Sequence, residues 1–362
     1  MKRTMLSSIV WFLLMGSWSL GAVLKVPSEY PTTQAAIDVS VDGDTVLVAP
    51  GTYTGDGNRD IDFGGKAITV RSEAGPGTCI IDTQGAWNNW HRGFYFHKGE
   101  QADSVLDGFT ITGGYSFQLG GGGIACYDSS PTIRNCVMIG NVAPAGGGLA
   151  LGVSEAIVSN CIIAGNRVVY TVPSADVGGG VSCAGDGYVI LRNCTIYANH
   201  ALYGGGVRAG LGRWGKISLV NCILFGNRAT GSGNQISRAA LGVIGPIGVE
   251  LRNCLIEDDP NAFGAHVDYV MSHMTDCIWG DPLFANPGHW NSEVTPTSWT
   301  DGDCHLKSQF PSETTKSTKQ PSAASLRSAA TQGVKGVALW GTVSLLANST
   351  VPEEQRHGGF YT

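Results

Sequence analysis

One short pattern recurs five times between residues 120 and 254 and constrains the fold more than any other feature. Each unit runs through an apolar stretch to an Asn-Cys pair, usually after a Gly-Gly-Gly turn, and a second Asn usually follows five positions after the Cys. Successive units are 25, 33, 28 and 32 residues long, counted between Asn135-Cys136, Asn160-Cys161, Asn193-Cys194, Asn221-Cys222 and Asn253-Cys254. Fixed landmarks in units of variable length indicate a coil whose insertions fall in one loop.

Each unit contains three short stretches that are typical of β-strands, and none has the apolar period of a helix. In the first unit the predicted strands are residues 124–126, 131–134 and 136–139. If equivalent strands of successive units pair in register, every backbone polar group finds a partner except at the two ends. The pattern therefore predicts one all-β solenoid, in which each coil packs on its neighbours.

The Asn and Cys landmarks predict two columns of stacked side chains. Asn tolerates the left-handed backbone conformation of a corner, and its amide can bond to the next Asn along the stack. The periodic cysteines favour a ladder of buried thiols, because a free Cys behaves as a compact apolar side chain. Disulfides are the alternative, and Cys277 and Cys304, outside the repeat, are then the expected pair.

Residues 30–38 predict a short helix that covers the open end of the first coil. Thr32 or Thr33 can cap this helix, and residues 35–37 (AAI) would face the core. Further strands are predicted at residues 45–48, 67–70 and 79–82 because β-branched residues alternate there between turn residues.

Several of these segments resemble the N-terminal coils of exported bacterial proteins of the pectin-lyase-like superfamily. They are residues 30–37 (YPTTQAAI), 42–46 (DGDTV), 49–53 (APGTY) and 107–111 (DGFTI), while 281–284 (DPLF) and 301–306 (DGDCHL) are similar to the closing segment. The resemblance spans residues 23–310. It implies an all-β fold, a right-handed single-stranded parallel β-helix with an N-terminal capping helix. Because these motifs belong to the scaffold, it implies little about activity.

Residues 1–22 predict an export signal. Lys2 and Arg3 precede the apolar run 9–15, and small residues allow cleavage near Ala22. The run is short for a membrane span, and an uncleaved anchor is the alternative. We therefore expect a secreted or cell-surface protein with no transmembrane span. The β-helix would occupy residues 23–310, and residues 311–362 would form a linker or tail.

The charge distribution argues against a nucleic-acid partner. The formal net charge is −6, the pI is about 5.7, and Lys and Arg are scattered along the chain, so no basic face is expected. We expect a monomer whose partner is a polysaccharide or a cell-surface component.

Acid–base residues are sparse in the central units. Between residues 129 and 249 the acids are Glu155, Asp176 and Asp186, at unrelated repeat positions, whereas a glycosidase needs two carboxylates at a fixed separation. Lyases of the superfamily use Lys or Arg as a base, commonly with Ca²⁺. An enzyme on this scaffold would therefore more readily be a lyase than a hydrolase. No metal or cofactor is predicted, although residues 257–259 (EDD) are a candidate for Ca²⁺ and an acidic turn is the alternative.

Two loops combine aromatic with polar side chains and are the candidate carbohydrate-binding residues. The first contains Trp87, Trp90, His91 and Arg92, and the second contains Tyr203, Arg208 and Trp214. Aromatic rings stack on sugars, and Arg can hold an acidic group. The alternative is loop packing for the first and an exposed turn for the second. We predict a noncatalytic extracellular or cell-surface protein that binds polysaccharide or another surface. The alternative is a polysaccharide lyase, or a related carbohydrate-active enzyme, that acts on acidic glycans.

Overall fold

The structure, a computed structural model, describes residues 21–117, 120–169, 177–211, 215–238, 248–264, 273–286, 289–291, 298–300 and 303–306. The predicted export signal up to residue 20 and the predicted tail lie outside these residues. The described chain consists of short β-strands and one helix.

Four parallel sheets form the sides of a solenoid. Sheet A has ten strands: β1 Val23–Val26, β2 Thr45–Val48, β4 Thr69–Ser72, β7 Val105–Asp107, β10 Thr132–Arg134, β14 Ile157–Ser159, β18 Tyr188–Arg192, β22 Lys216–Val220, β26 Gly248–Arg252 and β28 Met274–Thr275. Sheet B has nine: β3 Gly51–Tyr53, β5 Cys79–Asp82, β8 Thr110–Thr112, β11 Val137–Ile139, β15 Ile162–Ala164, β19 Thr195–Tyr197, β23 Ile223–Phe225, β27 Leu255–Ile256 and β29 Ile278–Trp279.

Sheets C and D are shorter. Sheet C consists of β6 Phe94–Phe96, β9 Ile124–Tyr127, β13 Leu149–Gly152, β17 Val181–Gly185, β21 Val207–Leu211 and β25 Ile236–Arg238. Sheet D consists of β12 Val142–Ala143, β16 Arg167–Val168, β20 His200–Tyr203 and β24 Arg228–Ser232. Two antiparallel pairs follow the solenoid: β30 Phe284–Asn286 with β33 Asp303–Leu306, and β31 His289–Asn291 with β32 Ser298–Thr300.

Equivalent strands of successive units pair in register, which confirms the predicted all-β parallel solenoid. Ile133 of β10 lies between Leu106 of the preceding coil and Val158 of the following one. All three side chains are fully buried. Each such burial contributes roughly 1.5–3 kcal/mol, so every coil is stabilised by the apolar residues directly above and below it.

The predicted strands are strands in the structure, but the structure contains further strands that were not predicted. The structure adds sheet D, whose two-residue strands β12 and β16 are too short to show a pattern. The second predicted strand lies two residues later, at Thr69–Ser72, because Thr69 pairs with Thr45 of the previous coil. The backbone amide of Ala67 instead bonds the Asp42 carboxylate in a turn.

The predicted corner asparagines are confirmed. Asn135, Asn160, Asn193, Asn221 and Asn253 all have φ between 53 and 55°. Asn160 donates to Asn135 over 3.1 Å, and Asn193 donates to Asn160 over 3.0 Å. Asn135 in turn donates to Asp107 at 2.7 Å, so a carboxylate ends this column at its N-terminal side.

A second, fully buried asparagine ladder crosses the interior at the B–D corner. It consists of Asn141, Asn166, Asn199 and Asn227, the residues five positions after the repeat cysteines. The Oδ1 atom of Asn199 accepts both the backbone N–H and the Nδ2–H of Asn166, at 2.9 and 3.0 Å. Its Nδ2 donates to the Ile163 carbonyl and to Asn227. The Asn-to-Asn bonds all run from donors of one coil to the Oδ1 acceptor of the next, toward the C-terminal coils, while each Nδ2 of Asn166, Asn199 and Asn227 also donates to a carbonyl of the preceding coil.

The ladder explains the last glycine of each Gly-Gly-Gly turn. A Cβ on Gly148 would lie 2.9 Å from Asn166 Nδ2 and 2.8 Å from a methyl of Ile163. A side chain there would displace the ladder amide. In the last of these turns Gln235 takes the equivalent place, and its Oε1 accepts from Asn227 Nδ2 at 2.6 Å.

The cysteines form the predicted column of buried thiols. Cys136, Cys161, Cys194, Cys222 and Cys254 lie one above the other beside sheet B, and each carries a free thiol. Cys126 and Cys183 share a second column, with Leu151 between them. Cys277 is also a free thiol, and the side chain of Cys304, its alternative partner, lies outside the described residues.

The N-terminal helix α1 spans Thr33–Val39, and Thr32 is its N-cap, as predicted. The Thr32 hydroxyl accepts the Ala35 amide at 3.2 Å. Ala36 and Ile37 are buried in the core against β1 and β2, whereas Ala35 is half-buried. The helix therefore packs against the first two coils.

We predict that Asn199→Ala lowers the free energy of unfolding by about 2–4 kcal/mol. The substitution leaves buried donors of Asn166 without an acceptor, and each such group costs about 1–3 kcal/mol. Asn193→Gly is the control because glycine keeps the left-handed corner and the lost bonds are half-exposed. Urea denaturation followed by circular dichroism measures both; equal losses for the two variants would contradict the role of the buried ladder.

We predict that the buried thiols of Cys161, Cys183 and Cys222 resist alkylation in the native protein at pH 8. Burial raises the pKa of Cys161 and Cys222 well above its usual value and that of Cys183 to about 12, and only the thiolate reacts. Iodoacetamide followed by peptide mass spectrometry should modify these cysteines only after denaturation. Rapid labelling of Cys161 in the folded protein would contradict this expectation.

Candidate functional site

The first predicted loop is a β-hairpin that projects from the corner between β5 and β6. Ala86 and Asn89 exchange two backbone hydrogen bonds of 2.7 and 3.0 Å, which places Trp87 and Asn88 at the tip. His91 pairs in the same way with Tyr115 of the next coil. The hairpin is therefore anchored to the solenoid on its C-terminal side.

Trp87 and Trp90 form an exposed aromatic surface together with Phe117. Trp87 is 62% exposed and Trp90 45% exposed. Phe117 stacks on Trp90 with a centroid distance of 5.0 Å and a 16° interplanar angle, and meets Trp87 edge-on at 5.2 Å. The Trp90 indole N–H donates to the Trp87 carbonyl at 2.6 Å. We call Trp87, Trp90 and Phe117 the aromatic platform.

His91 lies beside the platform and is paired with a carboxylate. Its Nδ1 is 2.6 Å from Asp60 Oδ2, and its Nε2 is 3.0 Å from Asn89 Oδ1. The other oxygen of Asp60 accepts the Arg92 amide at 2.9 Å, and Asp60 itself has a φ of +50°. A His held by a carboxylate is an arrangement that can move a proton.

Arg92 points back toward the solenoid. Its guanidinium donates to the Ser116 hydroxyl at 3.0 Å and to the Gly120 carbonyl at 3.3 Å, and it lies 4.6 Å from the centre of the Tyr95 ring. Burial lowers the pKa of Arg92. The side chain ties the loop to the next coil rather than extending into solvent.

The structure thus brings four predicted residues together and adds Phe117, Asp60 and Asn89. Phe117 lies 27 residues after Trp90. Its position two residues after Tyr115, which pairs with His91, depends on the register between coils, so no pattern within the loop sequence marks it. Asp60 belongs to the preceding coil and depends on the register in the same way. Binding by these residues stays a prediction.

The second predicted cluster does not form an open site among the described residues. Arg208 is only 9% exposed, and its Nη1 donates to the Ser237 hydroxyl at 2.6 Å and the Arg238 carbonyl at 3.2 Å. Tyr203 lies half-buried against the guanidinium at 5.4 Å. Trp214 lies outside the described residues. Arg208 therefore joins neighbouring strands of sheet C.

The acidic segment considered for Ca²⁺ ends the buried asparagine ladder. Glu257 accepts two hydrogen bonds from Arg228, at 2.8 and 3.0 Å, and one from Gln235 Nε2 at 2.6 Å. Asp259 accepts from Asn234 at 2.6 Å and from the Asn261 amide at 2.8 Å. Because protein donors already occupy these carboxylates, the segment does not fit a calcium site.

The described residues contain no group of three or more His, Cys, Asp or Glu side chains arranged to hold a metal ion. Among the same residues, no helix has the length and apolar character needed to cross a bilayer.

We predict that Ca²⁺ leaves the thermal stability of the full chain unchanged, whereas Glu257→Gln lowers it. The carboxylate balances Arg228 and accepts the last ladder bond, so its loss should cost about 1–3 kcal/mol. Calorimetry in EDTA and in millimolar CaCl₂ measures the first effect. A Tm that rises with Ca²⁺ concentration would show binding to the native state and contradict the assignment.

Comparison with known proteins identifies the family. A model described as right handed beta helix region matches residues 74–268, more than half of the chain. Among solved structures, pectate lyase Pel9A matches with 17% identity and a TM-score of 0.42, covering 63% of this chain and 60% of its own. The alginate lyase AlyGC matches with 15% identity and a TM-score of 0.28, covering 66% of this chain and 38% of its own.

The chain therefore spans less than two thirds of the length of either structure. Among curated proteins, none matches this chain. The in-register coils and the family match agree, and the chain belongs to the right-handed β-helix family.

Proposed function

We propose that this chain is an exported, noncatalytic β-helix protein that binds polysaccharide through the aromatic platform. The exposed Trp87 indole carries the proposal. A ring of this size left 62% open to water is not explained by packing, and its face is suited to stacking on a sugar.

The surroundings of the platform support sugar binding. Phe117 covers one face of Trp90 and holds the ring parallel to its own, so the platform is preorganised before a ligand arrives. Asn89 and His91, which are hydrogen-bonded to each other, flank Trp90 in the chain and place polar side chains beside the platform. Flat aromatic faces with a few polar groups beside them are typical of carbohydrate sites.

Export is supported by Lys2, Arg3 and the apolar run at residues 9–15. A chain with these features is expected outside the cytoplasm, where polysaccharides of the cell surface are available. Localisation is part of the proposal and is tested by fractionating cells that express the full chain.

One observation favours the second candidate function, a polysaccharide lyase. His91 follows Trp90 in the chain and is held by Asp60, and a carboxylate-held His can remove a proton from a sugar once its Nε2 has left the Asn89 amide oxygen. A lyase also has to neutralise the acid group of the uronate that it cleaves. Arg92, the cation next to His91 in the chain, is instead directed at Ser116 and Gly120, which favours binding without cleavage.

The test is binding and cleavage by the full chain on neutral and uronate polysaccharides. We expect binding without unsaturated products or new reducing ends, and a loss of at least about fivefold in affinity for Trp87→Ala/Trp90→Ala, since each stacked ring contributes about 0.5–1.5 kcal/mol. Trp279→Ala, which removes a 40% exposed Trp near the C-terminal coils, is the matched control.

Two results decide against the proposal. Absorbance from unsaturated sugars that disappears in His91→Ala would establish the lyase instead. Equal affinities of the wild type and the double Trp variant for every glycan tested would remove the platform as the binding surface.

A further inference from the structure

One outward-facing column of sheet A alternates between basic and non-basic side chains along its whole length. The pairing registers of sheet A place ten residues in this column, one per strand from β1 to β28. In order they are Lys25, Leu47, Arg71, Asp107, Arg134, Ser159, Arg192, Val220, Arg252 and Thr275. Counted along the sheet, the first, third, fifth, seventh and ninth strands carry a basic residue in this column, and the strands between them do not. We call Lys25, Arg71, Arg134, Arg192 and Arg252 the basic column.

The basic column faces solvent. All five side chains are exposed, while their neighbours within each strand, such as Val70 and Leu191, are fully buried. Arg71 and Arg192 make no ion pair among the described residues. Arg134 and Arg252 each use one nitrogen, toward Asp107 at 2.9 Å and Glu250 at 2.5 Å. A guanidinium has five N–H donors, so both retain free ones.

The strand spacing sets the distance between these charges. Neighbouring strands lie about 4.8 Å apart, so bases on alternate strands recur every ~10 Å, and the column is ~38 Å long. The in-register stacking keeps these positions in line. The face therefore presents positive charge at one repeated interval.

Sheet A is basic although the protein is acidic. Its strands carry six bases, the basic column and Lys216, and two acids, Asp107 and Glu250, whereas the whole chain has a net charge of −6. The expectation of no basic face was therefore wrong. The basic residues are 46 to 63 positions apart in the sequence, and only the register brings them into one line.

Relief of repulsion alone does not account for the pattern. Like charges on adjacent strands are destabilising, which explains why the strands between the five basic ones carry no base in this column. Repulsion does not explain why every second strand carries a base, because neutral side chains there would avoid repulsion equally well. A ligand with anionic groups at the same interval accounts for both halves of the alternation.

We propose that the basic column binds a linear glycan that carries one carboxylate per disaccharide. An extended glycan advances by roughly one strand spacing per sugar residue. Carboxylates on alternate sugars would therefore lie beside the basic side chains, which are on alternate strands. A polymer with an acid on every sugar would place a carboxylate beside Asp107, which repels it. Duplex DNA, with phosphates every 3.4 Å along a strand, does not match the interval.

This surface is distinct from the aromatic platform. From β10 to β26 each column residue is the last of its strand in sheet A and precedes an asparagine of the corner, whereas the platform residues Trp87 and Trp90 lie between a strand of sheet B and a strand of sheet C. The inference therefore goes beyond the proposed function and adds a second binding surface with its own ligand chemistry.

The test measures binding of the full chain to hyaluronan, which has one carboxylate per disaccharide, and to polygalacturonate and dextran. We expect the highest affinity for hyaluronan, falling as salt rises because the Debye length is about 10 Å at 0.1 M. Arg71→Gln/Arg192→Gln should weaken hyaluronan binding about tenfold, because the variant lacks two of the five exposed cations that would pair with carboxylates.

A charge-conserving variant tests the spacing itself. Ser159→Arg/Arg192→Ser moves one guanidinium to the adjacent strand and leaves the composition and net charge unchanged. We expect it to lose hyaluronan affinity relative to the wild type, while Trp87→Ala/Trp90→Ala keeps it. Circular dichroism confirms folding, and the single variants Arg71→Gln and Arg192→Gln give the same readout if a double variant is unstable.

Four outcomes would overturn the proposal. The first three are no binding of hyaluronan, hyaluronan bound no more tightly than polygalacturonate, and wild-type affinity for hyaluronan in the charge-conserving variant. The third result would show that total charge rather than its interval determines binding. Loss of hyaluronan binding in the double Trp variant alone would assign the ligand to the platform and also overturn the proposal.

Discussion

In-register pairing between coils is the constraint on which the rest of the structure depends. A short strand cannot satisfy its own backbone, so each coil uses the coil before and the coil after it as partners. Once the register is set, equivalent side chains must stack. Buried polar side chains at one repeat position then either bond to each other from coil to coil or all remain without a hydrogen-bond partner. Asn141, Asn166, Asn199 and Asn227 form such a ladder, with no unpaired amide inside it.

The architecture could be predicted because its landmarks are local. Asn193 marks a corner, Cys194 an interior position and Ile196 the core, each by residue type and offset within one unit. Sheet D could not be predicted in this way. Val142 and Ala143 are too few to show alternation, and their strand conformation comes from pairing with Arg167 and Val168 of the next coil.

The candidate site was predicted only in part, because its members come from different coils. Trp87, Trp90, His91 and Arg92 are neighbours in the chain, so composition alone indicated the loop. Asp60 and Phe117 join it through the coils below and above, which requires the register. For Arg208 the prediction of an exposed side chain was wrong. Its guanidinium is buried and donates to the Ser237 hydroxyl and the Arg238 carbonyl of the next coil.

The direction of the buried asparagine ladder also determines how coils can be added to the solenoid or removed from it. Hydrogen bonds enter at Asn141 from the Gly114 amide, continue from one Asn to the next, and finish on the Glu257 carboxylate by way of Gln235. A whole coil with its own Asn could be added or removed between these termini without orphaning a donor. The solenoid can therefore be lengthened by duplication of complete units, provided that the first and last coils keep the Gly114 amide and the Glu257 carboxylate that end the ladder.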